Sequence, residues 1–252
     1  LWDFTWSGTE FIQHHDIEVL PNGNILLLSN ERISMQEAID YGRIEIEGEI
    51  WPDKIVEIQP TGPTNGIVVW EWRFWDHLIQ DVDSTKPNFG VISEHPERLD
   101  INVAEIVEFG PAGEYSGDWM HANSIHYNSN LDQIVISCRR TNEFYIIDHS
   151  TTTEEASSSS GGNSGKGGDF LYRWGNPRNY NRGEISDQVT IAQHSVNWIP
   201  EGFPGEGNIL IFNNGFEATY PVQNIGSSVI EILPPLDENN NYILNMSESY
   251  GP

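Results

Sequence analysis

Histidines stand near the start of three similar stretches of this chain. The first stretch carries His14 and His15, the second carries His121 and Asn123, and the third carries His194. A neutral imidazole is a good nucleophile near neutral pH, and it can also act as a general base or as a metal ligand. Histidines that converge on one point from separate stretches would therefore form a site for covalent, acid–base or metal chemistry.

An arginine pair adds a candidate ligand for an anion. Arg139 and Arg140 follow an apolar run, and consecutive residues of a strand point to opposite faces, so one of them could point inward. A guanidinium donates paired hydrogen bonds to carboxylate, phosphate or sulfate oxygens. In a chain with 12 basic and 38 acidic residues, an inward arginine indicates an anion to be held. The alternative is that the arginine neutralises a neighbouring carboxylate such as Glu143.

The elements that must position these residues form an internal repeat. Three phrases align on Ile17, Ile125 and Val196, and each has the pattern of a strand, a polar turn and a second apolar strand. A third strand follows each hairpin, and a fourth strand that carries tryptophan closes the first two units. The predicted third strands are 54–58, 143–147 and 228–232, and the predicted fourth strands are 67–72 and 170–174.

This repeat predicts an all-β fold, a β-propeller with four-stranded antiparallel blades. Residues 1–252 are interpreted as one partial propeller domain, with a blade tail at 1–6, a blade at 11–75, a blade at 118–175 and an incomplete blade at 190–252. Propellers close with about 4–8 blades, and an open arc would leave sheet edges exposed. The chain, with about three blades, is therefore expected to be a fragment.

The repeat also predicts which side chains meet. The first strand of each propeller blade is innermost, so repeat-related residues converge on one funnel. The alignment places His15 and His194 at the same position, puts Asn123 there in the middle copy, and places His121 two residues earlier. The alternative is that a polar residue at a strand start only caps a turn. Four histidines without a repeat partner are expected to be surface or blade residues: His77, His95, His126 and His149.

Two insertions interrupt the predicted blades. The first, at 76–100, has the pattern of a short helix around residues 75–79. The second, at 151–168, contains a run of four serines and two glycines, a composition that predicts a mobile surface loop.

Composition excludes several classes of partner and site. A formal net charge of −26 repels phosphate backbones, so we expect no nucleic-acid partner. No apolar run approaches the roughly 20 residues that a membrane-spanning helix needs. The single cysteine, Cys138, excludes an internal disulfide and is expected to be a buried strand residue.

Several separate motifs, in order along nearly the whole chain, resemble those of the bacterial arylsulfate sulfotransferases. They are DWMHAN at 118–123, LDQI at 131–134, IDHSTT at 147–152, GKGGD at 165–169, YRWGNP at 172–177, QH at 193–194 and GNIL at 207–210. The resemblance implies a six-bladed propeller. It also implies transfer of a sulfuryl group from a phenolic sulfate ester to another phenol, through a sulfated histidine and without a nucleotide sulfate donor or other cofactor.

The resemblance assigns roles by motif. It makes His194 the nucleophile, and it makes His121, Asn123 and Arg139 the groups that hold the sulfuryl oxygens. The first repeat contributes His15, which is in register with His194, or else its neighbour His14, which is a further candidate for substrate binding. The neighbour of the nucleophile is Ser195, where many relatives carry an acid, so the orientation of the nucleophile stays open.

The implied partners are an aryl sulfate and a phenol, in the periplasm or outside the cell, and a homodimer is a further hypothesis. Two alternatives remain. A non-catalytic propeller could bind a sulfated or other anionic ligand with the same cluster. A hydrolase could use His15, His121 and His194 as zinc ligands, although the chain has no short-spaced HExxH pair. We expect no metal in the site.

Overall fold

The computed structural model describes residues 1–104, 117–215 and 226–243. Within these ranges the chain is mostly β, with antiparallel sheets and a few short helical turns, which confirms the all-β class. No helix in the described ranges is long and apolar enough to cross a membrane. Parts of the predicted last blade, 216–225 and 244–252, lie outside the described residues.

Consecutive antiparallel strands form the N-terminal sheet. Its strands, in spatial order, are β1 (Phe11–Val19), β2 (Ile25–Glu31), β3 (Asp53–Gly62) and β4 (Asn65–Arg73). The hairpin between β1 and β2 turns at Gly23, whose φ of 87° favours glycine. A short helix, α1 (Met35–Asp40), lies between β2 and β3 and begins at Ser34, whose side chain accepts a hydrogen bond from the Glu37 N–H.

Two more antiparallel sheets follow, and in both of them consecutive strands are neighbours, as in the first sheet. A two-residue parallel pair comes first, β5 (Leu78–Ile79) with β6 (Leu99–Asp100). The middle sheet then contains β7 (Ala122–Asn128), β8 (Gln133–Cys138), β9 (Glu143–Asp148) and β10 (Tyr172–Trp174). The C-terminal sheet contains β11 (His194–Trp198), β12 (Ile209–Asn213) and β13 (Ser228–Ile232). The predicted third and fourth strands thus coincide with β3, β9, β13, β4 and β10.

Apolar layers lie on both sides of the middle sheet. Toward the N-terminal sheet, Leu26, Leu28 and Trp72 belong to the same buried cluster as Ile136 and Tyr145. Toward the C-terminal sheet, the buried cluster is formed by Val135, Phe144, Ile146, Val196, Trp198 and Ile209, among others. Because β8 and β9 are buried on both faces, their apolar runs are continuous rather than alternating, and Cys138 is fully buried within one of them.

The first strands of the three sheets are neighbours. The Ile125 N–H donates to Asp16 Oδ2 across 3.1 Å, and the Val196 N–H donates to Ser124 Oγ across 2.9 Å. These two bonds join repeat-related positions, because Asp16 and Ser124 each precede a residue on which the repeat is aligned. β1, β7 and β11 are therefore held side by side by one recurring contact.

The N-terminal segment packs on the outer face of the first sheet. Residues 1–6 form no strand, but Trp2, Phe4 and Trp6 pack against the buried residues Leu27, Val56 and Ile58. The predicted blade tail therefore packs its aromatic side chains on the first sheet and forms no strand.

Both insertions differ from their sequence-based predictions. The segment expected to be helical at 75–79 is a 3₁₀ turn, Phe74–His77, followed directly by β5. The serine–glycine segment contains a helix, α2 (Thr153–Ala156), that begins with a capping box between Thr152 and Glu155. It is not a free loop, because Trp72 Nε1 donates to the Gly168 carbonyl across 2.8 Å and the buried His77 hydrogen-bonds the Ala156 carbonyl.

A bridged imidazole joins the first two sheets. His149 Nε2 lies 2.9 Å from Glu57 Oε2 and His149 Nδ1 lies 2.8 Å from Asp132 Oδ1. Burial lowers the pKa of His149, but the hydrogen bonds to Glu57 and Asp132 outweigh it, so the pKa is raised above 6.5. Because both ring nitrogens donate to carboxylates, the imidazolium is the form that this bridge stabilises.

Replacing His149 by asparagine should lower the free energy of unfolding by about 2 kcal/mol at about pH 6, since it breaks hydrogen bonds to charged partners. The folded-state pKa is raised, so the stabilisation is complete below the unfolded value of 6.5 and is lost as the pH rises through the folded value. The difference from wild type in urea unfolding should therefore shrink by about pH 9. His95→Asn is the control, because its pair with Glu97 is 45% exposed on the histidine side. An equal effect of His149→Asn at both pH values would contradict the assignment.

Candidate active site

The histidines of the three repeats lie in or directly before the first strand of each sheet: His14 and His15 are within β1, His121 precedes β7, and His194 begins β11. Each of these strands has a register irregularity there, between Gln13 and Ile17, between Ala122 and Ser124, and between His194 and Asn197. Irregularities of this kind re-aim side chains and often occur beside functional sites. The backbone is left-handed at His15, His121 and Ser195, with φ of 57°, 56° and 53°. This conformation is uncommon for residues other than glycine.

Three imidazole rings form one cluster. The ring centroids of His15 and His121 are 4.6 Å apart, and those of His14 and His15 are 5.1 Å apart. Both pairs meet edge to face, with interplanar angles of 72° and 88°. Two of the sheets, through β1 and the residue before β7, therefore bring their histidines into direct contact.

His14 is held by a buried carboxylate. Its Nε2 lies 2.8 Å from Oδ1 of Asp53, the first residue of β3, and the other oxygen of Asp53 accepts the Ala122 N–H across 2.8 Å. Burial lowers the pKa of His14, but the hydrogen bond and charge of Asp53, with the charge of Asp118, outweigh it. The pKa of His14 is therefore raised, and its protonated form is favoured.

His15 has the opposite electrostatic environment. Its Nδ1 lies 2.9 Å from Nδ1 of His14, and no described residue forms a hydrogen bond with its Nε2. Burial lowers the pKa of His15, and the charges of His121 and His14 lower it further. His15 is therefore favoured as the neutral ring, beside a neighbour that is favoured as the cation.

His121 is oriented by a second carboxylate. Its Nδ1 lies 2.8 Å from Asp118 Oδ2, which also accepts from Arg140 NH2 across 3.2 Å. Burial raises the pKa of Asp118, but the hydrogen bond to His121 and the charges of His121 and Arg140 outweigh it and lower the pKa. Asp118 therefore stays ionised, and His121 must keep its proton on Nδ1 to donate to it.

His194 is oriented by the backbone. Its Nδ1 lies 2.9 Å from the carbonyl oxygen of Ala192, which can only accept, so Nδ1 carries the proton and Nε2 carries the lone pair. The side-chain amide of Asn214 lies farther from the same atom, at 3.3 Å. Burial lowers the pKa of His194; the hydrogen bond to the Ala192 carbonyl raises it, but burial together with the charges of Arg139 and His121 outweighs this bond. The ring is therefore neutral at pH 7, with a nucleophilic nitrogen available.

Arg139 and Arg140 do not occupy a strand, as the sequence suggested, but the turn that follows β8. The Arg139 N–H donates to the His121 carbonyl across 3.1 Å, and the charge of its side chain acts on His194. Glu143, considered above as a neighbour that an arginine could neutralise, instead pairs with the fully buried Arg173. Arg139 therefore links the second and third repeats.

Asn123 lies buried between the second and third repeats. Its Nδ2 donates to the Gln193 carbonyl across 2.7 Å, directly before His194 in the chain. Since an amide nitrogen has two hydrogens, one N–H remains for a further acceptor. Its Oδ1 is buried and has no partner among the described residues.

The register does not by itself choose between His14 and His15. In β1, the stretch from Gln13 to Ile17 pairs with Ser29 to Leu27 of β2. In β7, the stretch from Ala122 to Ile125 is one residue shorter, but it pairs with a segment of β8 of the same length, Cys138 to Ile136. β1 therefore has one additional residue, and both histidines occupy the place of Asn123. Their contacts distinguish them instead, because His15 touches His121 and His14 pairs with Asp53.

A groove of about 500 Å³ borders the cluster on the side of the N-terminal segment. Its lining residues include His14, His15 and Asp16 of β1 and Phe4 and Trp6 of the N-terminal segment. Its volume lies within the range of small-molecule sites, which is roughly 300–1,000 Å³. The groove reaches His14 and His15, whereas His121, Asn123, Arg139 and His194 are not among its lining residues.

A family model described as arylsulfotransferase (ASST) matches residues 7–231. The chain belongs to the arylsulfotransferase family. The match covers most of the chain, including every candidate site residue described above, and it supports sulfotransferase activity at the level of the family. A search of curated proteins finds no match to the chain.

In this family member, the groups that orient the histidines could not be identified from the repeat. They are Asp53, Asp118 and the carbonyl of Ala192. Asp118 stands three residues before His121, and this short spacing could have indicated a contact between the two side chains. Asp53 had no such signal, because it reaches His14 from another strand.

The four histidines without a repeat partner lie away from the cluster, in other hydrogen bonds. The side chain of His77 is buried, and that of His149 is only 13% exposed. His77 Nδ1 lies 2.8 Å from Asp169 Oδ1. His126 Nδ1 accepts the Trp198 N–H across 3.4 Å, and His95 pairs with Glu97. In the described part of this arylsulfotransferase, no group of three His, Cys, Asp or Glu side chains is placed to hold a metal ion.

Proposed function

We propose that this arylsulfotransferase moves a sulfuryl group from a phenolic sulfate ester to a phenol through a sulfated His194. The observation that carries the proposal is the hydrogen bond from His194 Nδ1 to the Ala192 carbonyl. This bond selects the tautomer with a lone pair on Nε2, and the lowered pKa keeps the ring neutral at physiological pH. Neither a metal nor a nucleotide is needed for the steps below.

The first half-reaction forms the sulfated enzyme. The Nε2 lone pair of His194 attacks the sulfur of the aryl sulfate, an N–S bond forms, and the S–O bond to the aryl oxygen breaks. The departing phenolate takes a proton from a histidine of the cluster. Covalent catalysis of this kind divides one difficult exchange into two displacements and gives ping-pong kinetics.

The second half-reaction reverses the roles. The oxygen of the acceptor phenol attacks the sulfur, its O–H proton passes to a cluster histidine, and the N–S bond to His194 breaks. His15 suits this proton transfer because it is neutral and its Nε2 has no hydrogen-bond partner among the described residues. A positioned acid or base contributes about 10²–10⁴-fold to such a step.

Negative charge on the sulfuryl oxygens needs donors that are already in place. Arg139, the remaining N–H of Asn123 and His121 are our candidates for this role, as the family motifs imply. Their importance is increased by the formal net charge of −26, since most of the protein repels an anionic substrate. His14 is less suited to bind the sulfuryl group, because both its ring nitrogens already have partners.

We further propose that the three sheets are blades of a β-propeller, with the boundaries predicted from the repeat, 11–75, 118–175 and 190–252, and that residues 1–6 are a blade tail. The sequential strand order and the side-by-side β1, β7 and β11 support this arrangement. Six blades, a periplasmic or secreted location and a homodimer remain predictions.

Mass spectrometry of the protein after proteolytic digestion tests the mechanism. We expect that para-nitrophenyl sulfate, added without an acceptor, increases the mass of the peptide with His194 by one SO₃ group, and that phenol removes the label. His194→Asn is the matched control and should remain unlabelled. Consumption of the aryl sulfate without a labelled histidine would contradict the mechanism. Binding without turnover would instead indicate a propeller that only holds an anionic ligand.

A further inference from the structure

Asp53, His14 and His15 form a continuous chain of hydrogen bonds that ends in the site. Asp53 Oδ1 lies 2.8 Å from His14 Nε2, and His14 Nδ1 lies 2.9 Å from His15 Nδ1. Asp53 is 2% exposed, and its second oxygen is held by the Ala122 N–H. The carboxylate is therefore fixed in place at the buried end of this chain.

Hydrogen-bond chemistry limits the protons of this chain. An ionised carboxylate only accepts, so His14 carries a proton on Nε2 in every state. Two nitrogens at 2.9 Å form a hydrogen bond when one proton lies between them. If His14 is neutral, His15 donates from Nδ1 and has a lone pair on Nε2. If His14 is protonated on both nitrogens, His15 accepts on Nδ1 and carries its proton on Nε2.

We propose that Asp53 and His14 are positioning residues that relay a proton behind His15, and that His15 thereby alternates between base and acid in the two half-reactions. The inference rests on the proposed sulfuryl transfer. It gives His14 a role other than substrate binding, and it adds Asp53, which the family motifs quoted above do not contain.

The relay balances in each half-reaction. When the acceptor phenol attacks, its proton bonds to His15 Nε2, while the Nδ1–H bond of His15 breaks and a new N–H bond forms at His14 Nδ1. The positive charge then rests on His14 beside Asp53. When the next aryl sulfate reacts, the proton on His15 Nε2 passes to the departing phenolate and the proton on His14 Nδ1 returns to His15.

The electrostatics of the two rings favour this direction. A cation on His15 is opposed by burial and by the charges of His121 and His14, and these lower its pKa. A cation on His14 is favoured by the hydrogen bond and charge of Asp53, which outweigh burial and raise its pKa. The titratable groups that act on the pair are Asp53, Asp118 and His121. The positive charge that results when His15 accepts a proton is therefore more stable on His14.

The leaving group of the donor provides a specific test. Para-nitrophenolate leaves without an acid, whereas phenolate needs one. We expect Asp53→Asn to reduce the rate of enzyme sulfation, measured as phenol release in a single turnover without an acceptor, by about 10²-fold with phenyl sulfate, at the low end for acid–base catalysis, and by only a few-fold with para-nitrophenyl sulfate. Asparagine keeps an oxygen for the Ala122 N–H, so the fold should persist. His14→Phe, which preserves a ring of similar size, should give the same dependence.

The outcomes separate the relay from the proposed function. Labelling of His194 by para-nitrophenyl sulfate should survive in Asp53→Asn. Failure to label the wild type would contradict the proposed function itself. Labelling of Asp53→Asn with an equal loss of the single-turnover sulfation rate for both donors would indicate a purely structural Asp53 and would overturn the relay.

NMR of isotope-labelled histidine ring nitrogens gives a readout without turnover. In the wild type, His14 should titrate above His15, with the His15 tautomer changing as His14 loses its proton. In Asp53→Asn this order should be lost. A His15 tautomer that is independent of the state of His14 would also overturn the relay, even if both variants folded poorly.

Discussion

Replacing His194 by asparagine lowers kcat/KM for sulfuryl transfer by about 10⁴-fold, the loss expected when a member of a covalent catalytic unit is removed. The variant has no Nε2 lone pair to attack sulfur, and only binding and charge stabilisation by the remaining groups persist. Steady-state kinetics with para-nitrophenyl sulfate and phenol measure the effect. The His194 side chain is only partly buried, so the unfolding temperature should change little.

His95→Gln is the matched control for this experiment. His95 is also a histidine bonded through Nδ1, but its partner is Glu97 on the surface, away from the cluster. Its kcat/KM should stay within about twofold of wild type, the range of ordinary surface substitutions. If His194→Asn retained more than about a tenth of the wild-type rate, another group would have to be the nucleophile.

Replacing Arg173 by methionine lowers the free energy of unfolding by about 3–5 kcal/mol, the cost of leaving one charge of a buried pair without its partner. Arg173 and Glu143 both have fully buried side chains, and Arg173 Nε donates to Glu143 Oε1 across 2.8 Å. The guanidinium also donates to the Arg98 carbonyl and lies 4.4 Å from the ring centroid of Tyr180. The pair therefore links β9 and β10 to the insertion that precedes β7.

Urea unfolding measures this loss, and two further variants interpret it. Arg32→Met removes an exposed pair with Glu49, and its effect should stay below about 1 kcal/mol. Adding Glu143→Leu to Arg173→Met should recover part of the loss, since it removes the buried carboxylate that the first change leaves unpaired. A loss below about 1 kcal/mol in Arg173→Met would show that the carboxylate finds another partner or a proton.

Strands and hairpins were predictable because their determinants are local. The alternation and apolar runs around Ile17, Ile125 and Val196 place β1, β7 and β11 where the repeat predicts them. The polar turn at residues 21–23 joins the first hairpin, and a positive φ at Gly23 is an intrinsic preference of that residue. Patterns of this kind lie within a single stretch of chain, so they can be recognised without knowing which other strands pack against it.

The insertions were not predictable in the same way. The serine–glycine composition of 151–168 favours no structure by itself, yet Trp72 of the first sheet and His77 of the turn that follows it hydrogen-bond its backbone. The segment at 75–79 has a helical pattern, but pairing of β5 with β6 extends its second half. In both cases a partner distant in sequence decides the conformation, because burial of backbone polar groups requires that they be paired.

By itself, the sequence determined the all-β class, the repeat and the equivalence of the histidine positions. It also carried the family motifs and the negative charge from which we expect no nucleic-acid partner. Only the tertiary structure decided what each imidazole can do. Asp53 selects the charged form of His14, Asp118 fixes the proton of His121, and the Ala192 carbonyl exposes the lone pair of His194. The reason is that tautomer and pKa depend on atoms within hydrogen-bond reach, and folding brings several of those atoms from other strands.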